Sequence, residues 1–119
     1  MASTSGRLKK RPEFLRVANH GNRSVTRGLV LQAAPRHGES GGEPRIGFTV
    51  SKKVGNAVRR NRARRRLRAA AEILAPDLAL DGVDYVIVGR YAAADRPFDK
   101  LLGDLRRAFT DSRGNGAET

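Results

Sequence analysis

The chain has 119 residues, of which 24 are Lys or Arg and 12 are Asp or Glu, giving a formal net charge of +12. That length allows one compact domain, and the charge points to a polyanionic partner, nucleic acid ahead of an anionic membrane surface. Cysteine is absent, which excludes a disulfide framework and any thiolate metal site, and there is no run of about 18 apolar residues to span a membrane.

The opening segment, "MASTSGRLKKRPEF", lacks the apolar stretch of a secretory signal, so a soluble, cytoplasmic protein is expected. Residues 1–9 are mostly small, polar or basic and predict a flexible tail. Pro12 suits the first turn of a helix. Phe14, Val17 and Ala18 then share one edge, and Gly21 supplies the stop. Residues 22–34 favour extended structure with a kink at Gly28. Along it Leu29, Leu31 and Ala33 point one way, and Val30, Gln32 and Ala34 the other. "PRHGESGGEP" (35–44) is a loop by its Gly and Pro content. "RIGFTVSKK" follows as a strand, with Ile46, Phe48 and Val50 on one face and Gly47, Thr49 and Ser51 on the other.

The next helix is predicted to start at Asn56 as N-cap and to end just before Pro76. Ala63, Leu67, Ala70 and Leu74 form a narrow apolar stripe, with Asn61, Arg65, Arg68 and Glu72 opposite. Arg59, Arg60 and Arg66 point close to that stripe, so the first two turns are basic nearly all round. "DYVIVGR" (84–90) reads as a strand. "RPFDKLLGDLRRAF" closes the domain as a helix, with Phe98, Leu101, Leu102, Leu105 and Phe109 at helical spacing. The sum is α-β-β-β-α-β-α over residues 10–110 if the 22–34 stretch breaks into two strands, an α+β or α/β sandwich, followed by a loose tail at 111–119.

The arginine run carries the most information. Ten basic residues and no acidic one lie between Arg45 and Ala71. Like charges four apart on a helix cost roughly 0.2–0.5 kcal/mol each, and Arg60–Arg64, Arg62–Arg66 and Arg64–Arg68 are such pairs. An ordinary solvated face would intersperse glutamates, and Glu72 alone is present. Every basic residue of this helix is Arg, whose fork binds phosphate bidentately and stacks on bases. A membrane-surface helix would accept lysine and would need bulky anchors, where this one has alanines at 69, 70 and 71. Helix-turn-helix and basic-zipper patterns are both missing, so RNA is favoured over DNA.

A protein-borne active site is not evident. His20 precedes a helix-ending Gly and His37 lies in a Gly-rich loop, neither with a partner at catalytic or ligand spacing. Asp77, Asp81 and Asp84 could hold a hard cation, but turn and cap duties account for them. No catalytic residue is assigned.

The segment "KKVGNAVRRNRARRRLR" resembles the protein subunit of bacterial ribonuclease P, whose signature is an RNR tripeptide after GNAV. Here the tripeptide is Arg60, Asn61 and Arg62. The likeness extends to "RLKKRPEFLRVANHG", "RGLVL", "RIGFTVSKK" and "DYVIVGR" and covers roughly residues 7–110. The resemblance implies an α/β fold with a left-handed βαβ crossover, similar to a domain of a small-subunit ribosomal protein. It also implies an auxiliary role in an endoribonuclease holoenzyme whose catalytic RNA removes the 5′ leader of precursor tRNA. In that family the RNA subunit and substrate hold most of the Mg²⁺, and neither a membrane nor a protein partner is required. The positions implied for the RNA-subunit surface are Lys52, Lys53, Arg59, Arg60, Asn61, Arg62, Arg64, Arg65 and Arg68. Those implied for the leader, between the first helix and the sheet, are Phe14, Arg27, Val30, Gln32 and Phe48. Phe14 serves the packed edge of its helix equally well, and Ala18 and Gln32 stand where some relatives carry aromatic rings. Each missing base stack removes roughly 1–3 kcal/mol. No metal ligand is assigned to the protein.

Overall fold

The alternation in Arg45–Val50 persists as a central strand of a mixed sheet. In the computed structural model, which describes residues 6–8, 10–36 and 42–117, the elements run β1 (Gly6–Arg7), α1 (Arg11–His20), β2 (Asn22–Val25), β3 (Leu29–Pro35), β4 (Arg45–Val50), α2 (Ala57–Leu78), β5 (Val83–Gly89) and α3 (Phe98–Ala117). Short 3-10 turns at Lys52–Val54 and Tyr91–Ala94 precede α2 and α3. The strand order is β1-β4-β5-β3-β2. β1, β4 and β5 are mutually parallel neighbours, while β3 runs antiparallel to both β5 and β2. The α2 helix makes the crossover between β4 and β5. The fold is α+β.

The two faces of the sheet are covered unequally. Under α2 and α3 lie Leu29, Leu31, Ile46, Val50, Tyr85 and Ile87, packed on Ala63, Leu67, Ala70 and Leu74 of α2 and on Leu101, Leu105 and Phe109 of α3. The predicted helix stripes are those that meet here. Tyr85 and Phe109 pack edge to face with ring centres 5.1 Å apart, a geometry worth about 0.5–1.5 kcal/mol beyond area burial. The smaller cluster on the other face gathers Leu8, Val17, Ala34 and Val86, with Phe14 and Val88 against it. Among the described residues, α1 is the helix on this side.

Three boundaries differ from the sequence reading. Residues expected in the flexible tail instead add β1 at the sheet edge, and Leu8 is buried beside it. The 22–34 stretch does break, at residues 26–28, into the two strands that the expected order needs, with the Gly28 N–H taken by Asp104 of α3 at 3.0 Å. The α2 helix runs through Pro76 to Leu78. Proline removes a single donor there, Leu74 and Ala75 hold that turn in the core, and the Ala79 N–H still reaches the Ala75 carbonyl at 2.9 Å. The last helix passes residue 110 and takes in much of the expected tail, because Ser112 is buried and Arg113 donates to the Leu78 carbonyl at the end of α2 at 3.1 Å. Among the described residues no helix is long and apolar enough to cross a membrane.

Candidate nucleic-acid interface

The start of α2 is set by three local devices. The Ser51 hydroxyl accepts the Lys53 N–H at 3.2 Å, turning the chain so that Lys52 and Lys53 face solvent. Gly55 takes φ +138°, a conformation a side chain resists. The Asn56 side chain then accepts the Arg59 N–H at 2.9 Å, the predicted N-cap.

From this start the arginines divide into two sets. Asn61, Arg62 and Arg65 are exposed, Arg60, Arg64 and Arg68 partly so. Arg64 donates to the Asn61 side chain at 3.2 Å, and the Arg68 guanidinium lies over the Phe48 ring, 5.6 Å from its centre. These six, with Lys52 and Lys53, form one basic surface free of carboxylates in sequence from Arg45 to Ala71. Arg59 and Arg66 are instead absorbed by the fold. Arg59 donates to the carbonyls of Val54 at 2.7 Å and Tyr91 at 2.9 Å and pairs with Asp95 at 2.6 Å. Arg66 donates to the Arg96 carbonyl and lies over the Phe98 ring, 5.9 Å from its centre. Of the expected RNA-subunit set, Arg59 therefore stands apart, tied to the segment that follows β5.

The other face carries a trough whose shape follows from strand register. Arg45 pairs with Asp84 and Asp84 with Ala34, and this row lies beneath α1. The next row is Gly47, Val86, Gln32 and Arg23. A Cβ on Gly47 would stand 2.5 Å from the Phe14 ring, so glycine is what lets α1 settle there. The third row is Thr49, Val88, Val30 and Val25, with Thr49 and Val25 exposed. Phe14 forms a wall and this third row a floor. Of the leader residues expected from sequence, Phe14, Val30 and Gln32 lie on this face of the sheet, and Arg27 occupies the hairpin turn at its end. Phe48 does not join them. Strand alternation puts it on the opposite face, under Arg68. Ala18 is exposed on α1.

Asp84 holds α1 in place, a role its sequence reading as a turn or cap residue missed. Its carboxylate is fully buried. Arg45 grips it with Nε at 2.9 Å and Nη2 at 2.8 Å, Arg16 of α1 donates to the same group, and Arg36 lies 3.6 Å away. Arg45 also reaches Glu13 of α1 at 3.1 Å. The hydrogen bonds that Arg45 donates to Asp84, with the charges of Asp84 and Glu13, raise the Arg45 pKa above its ordinary value despite partial burial. A signal was present in sequence: one carboxylate at the head of an otherwise apolar strand.

Asp84 is thus engaged by guanidinium groups, and no group of three or more His, Cys, Asp or Glu side chains among the described residues could hold a metal ion. The described residues do not fit a protein-held Mg²⁺. His37 lies outside the described residues, as does the side chain of His20.

Fold and surface together define a small basic α+β protein with a group of free cations at the start of one crossover helix. The Ribonuclease P family model matches residues 2–113. The ribonuclease P protein component of Gluconacetobacter diazotrophicus is 51% identical over 118 residues, covering 99% of this chain and all of the relative. That of Paramagnetospirillum magneticum is 52% identical over 111 residues, covering 92% and 84%. The Staphylococcus aureus RNase P protein structure superposes with a TM-score of 0.72 at 25% identity, covering 92% of this chain and 94% of that one. The chain belongs to the bacterial ribonuclease P protein family, the protein components of a tRNA-processing ribonucleoprotein.

Proposed function

We propose that this chain is the RNA-binding subunit of an endoribonuclease in which a catalytic RNA removes the 5′ leader of precursor tRNA in the cytoplasm. The observation that carries the reading is the division of the arginines. Two are spent on the fold, while Arg60, Arg62, Arg64, Arg65 and Arg68 share a surface with Lys52 and Lys53 that no carboxylate offsets. A folded RNA supplies phosphates to neutralise it. The trough beside Phe14 would take the single-stranded leader, with its floor against bases and Arg27 near the backbone.

Mg²⁺ held by the RNA subunit and substrate would supply metal-assisted phosphodiester hydrolysis, leaving a 5′-phosphate on the tRNA and a 3′-hydroxyl on the leader. The residues of this chain bind and orient; none acts as acid or base in this account. Reconstitution with the RNA subunit and precursor tRNA at low Mg²⁺ tests it. Faster cleavage on adding the protein is expected, and no gain defeats the reading. Cleavage by the protein without any RNA subunit would defeat it equally.

A further inference from the structure

Where the hairpin turn, the 3-10 turn after β5 and α3 come together, they border an open cleft of about 610 Å³ lined by Val25, Arg27, Arg90, Tyr91 and Arg107 together with Thr26 and Ala92. That volume falls in the range that accepts a small organic ligand. Three guanidinium groups border the cleft and no carboxylate does. Arg90 has a structural task, since its side chain donates to the Thr26 carbonyl at 2.6 Å and its backbone N–H to the Gly28 carbonyl at 3.1 Å. Arg27 and Arg107 have none. Both are exposed, and neither has a hydrogen bond or ion pair among the described residues. Placing them beside Arg90 is repulsive unless an anion intervenes.

Tyr91 adds a second chemistry. Arg59 covers one face of its ring, 3.9 Å from the centre, and donates to its carbonyl at 2.9 Å. The residue nonetheless remains 65% exposed, so a ring face stands open, pinned from behind. An open aromatic face beside unpaired guanidinium groups is the combination that holds single-stranded nucleic acid, base on ring and phosphate on fork. The position is also apt. Val25 belongs to the trough floor, so the cleft extends that surface, and Arg59 behind Tyr91 fastens it to α2.

We propose that this cleft binds one unpaired ribonucleotide, its base stacked on Tyr91 and its flanking phosphates gripped by Arg27 and Arg107. The proposal deepens the RNA-binding reading and rests on it. Arg90 keeps the hairpin turn in register and shapes the wall. The leader and a single-stranded part of the RNA subunit offer the same chemistry, and the test separates them.

The test uses the double variant Arg27→Ala, Arg107→Ala, which removes no hydrogen bond or ion pair among the described residues, and separately Tyr91→Leu, which leaves Arg59 its bonds to Val54 and Asp95. Each is assembled with the RNA subunit. Binding is measured across a salt series for the protein with that subunit, and for the assembled particle with leader-bearing precursor tRNA and with mature tRNA. The double variant is expected to lower the log–log salt slope by about 1.4, two single-strand phosphates at about 0.7 each. Tyr91→Leu is expected to weaken the same complex with an unchanged slope. Losses confined to leader-bearing substrate assign the nucleotide to the leader, and losses in subunit binding assign it to the subunit. If one variant alone has an effect, the paired ring-and-phosphate grip is overturned. If wild type binds both RNAs and both variants match it, the cleft proposal falls while the wider reading stands; if wild type binds neither, both fall.

Discussion

The guanidinium of Arg59 lies over the ring of Tyr91, 3.9 Å from its centre, while the same side chain pairs with Asp95 at 2.6 Å. An arginine inside the family's signature helix is thereby a fastener between α2 and the segment after β5. Arg65, six residues on, is exposed and has no protein partner among the described residues. The two should separate cleanly on substitution. Arg59→Ala is expected to destabilise the fold by about 1–2 kcal/mol, since charged hydrogen bonds are lost at a partly exposed site. Arg65→Ala should leave urea unfolding unchanged and reduce the salt slope of RNA-subunit binding by about 0.7–0.9. An unchanged slope and affinity for Arg65→Ala would remove it from the interface.

Phe14 packs directly on Gly47, and the row alongside ends in exposed Thr49 and Val25. Phe14→Leu keeps an apolar wall but removes the ring. Leader-bearing precursor tRNA should then bind more weakly by about 1–3 kcal/mol, with the affinity for the RNA subunit retained. Loss of the thermal transition would instead assign the ring to packing alone.

Asp84 is the shared counterion of Arg16, Arg36 and Arg45. Asp84→Asn leaves their charges without it. Removing one partner of a buried pair costs roughly 3–5 kcal/mol, and partial exposure of the arginines places the expected loss near the lower end, about 3 kcal/mol. Urea unfolding with an unchanged m-value measures it. Because Arg16 and Glu13 lie on α1, the loosened helix should also widen the trough, so leader affinity falls more than RNA-subunit affinity.

Tyr85 gives a pH-dependent contribution with a definite sign. Burial pushes its phenol above the ordinary value near 10, while the Leu80 N–H that it accepts and the charge of Arg113 pull part of the way back. The folded protein therefore keeps this proton to higher pH than the unfolded chain does. The contribution is intact below about pH 10 and is lost as pH rises through the folded-state value. The stability difference between wild type and Tyr85→Phe should be flat at neutral pH and fall in alkali. A difference that stays flat throughout would contradict the assignment.

Much of the fold was legible because its elements are strongly periodic. Ile46 and Val50 on one side of β4, the stripe Ala63, Leu67, Ala70 and Leu74, and the Asn56 cap all express local rules that packing did not overrule. What escaped was non-local. β1 has two residues and exists because Ile46 and its neighbours offer an edge to pair with, which no window over residues 1–9 reveals. Pro76 read as a terminator, yet tertiary contacts of Leu74 and Ala75 carry the helix past it. In the candidate site, exposure of Arg62 and Arg65 followed from helical phase. The capture of Arg59 depended on Tyr91 and Asp95, more than thirty residues away, and the facing of Phe48 toward Arg68 put it with the wrong group of candidates. Asp84 was misread for the same reason, its partners being contributed by α1, β4 and the end of β3.

The central claim is that the basic surface at the start of α2 grips a folded RNA. Hydroxyl-radical footprinting of the RNA subunit tests it most directly, comparing wild type with the double variant Arg62→Ala, Arg65→Ala, which is expected to fold normally. The account predicts a discrete protected region with wild type that fades with the variant at the same protein concentration. An RNA subunit left fully accessible by the wild-type chain, or a footprint identical for both proteins, would contradict it.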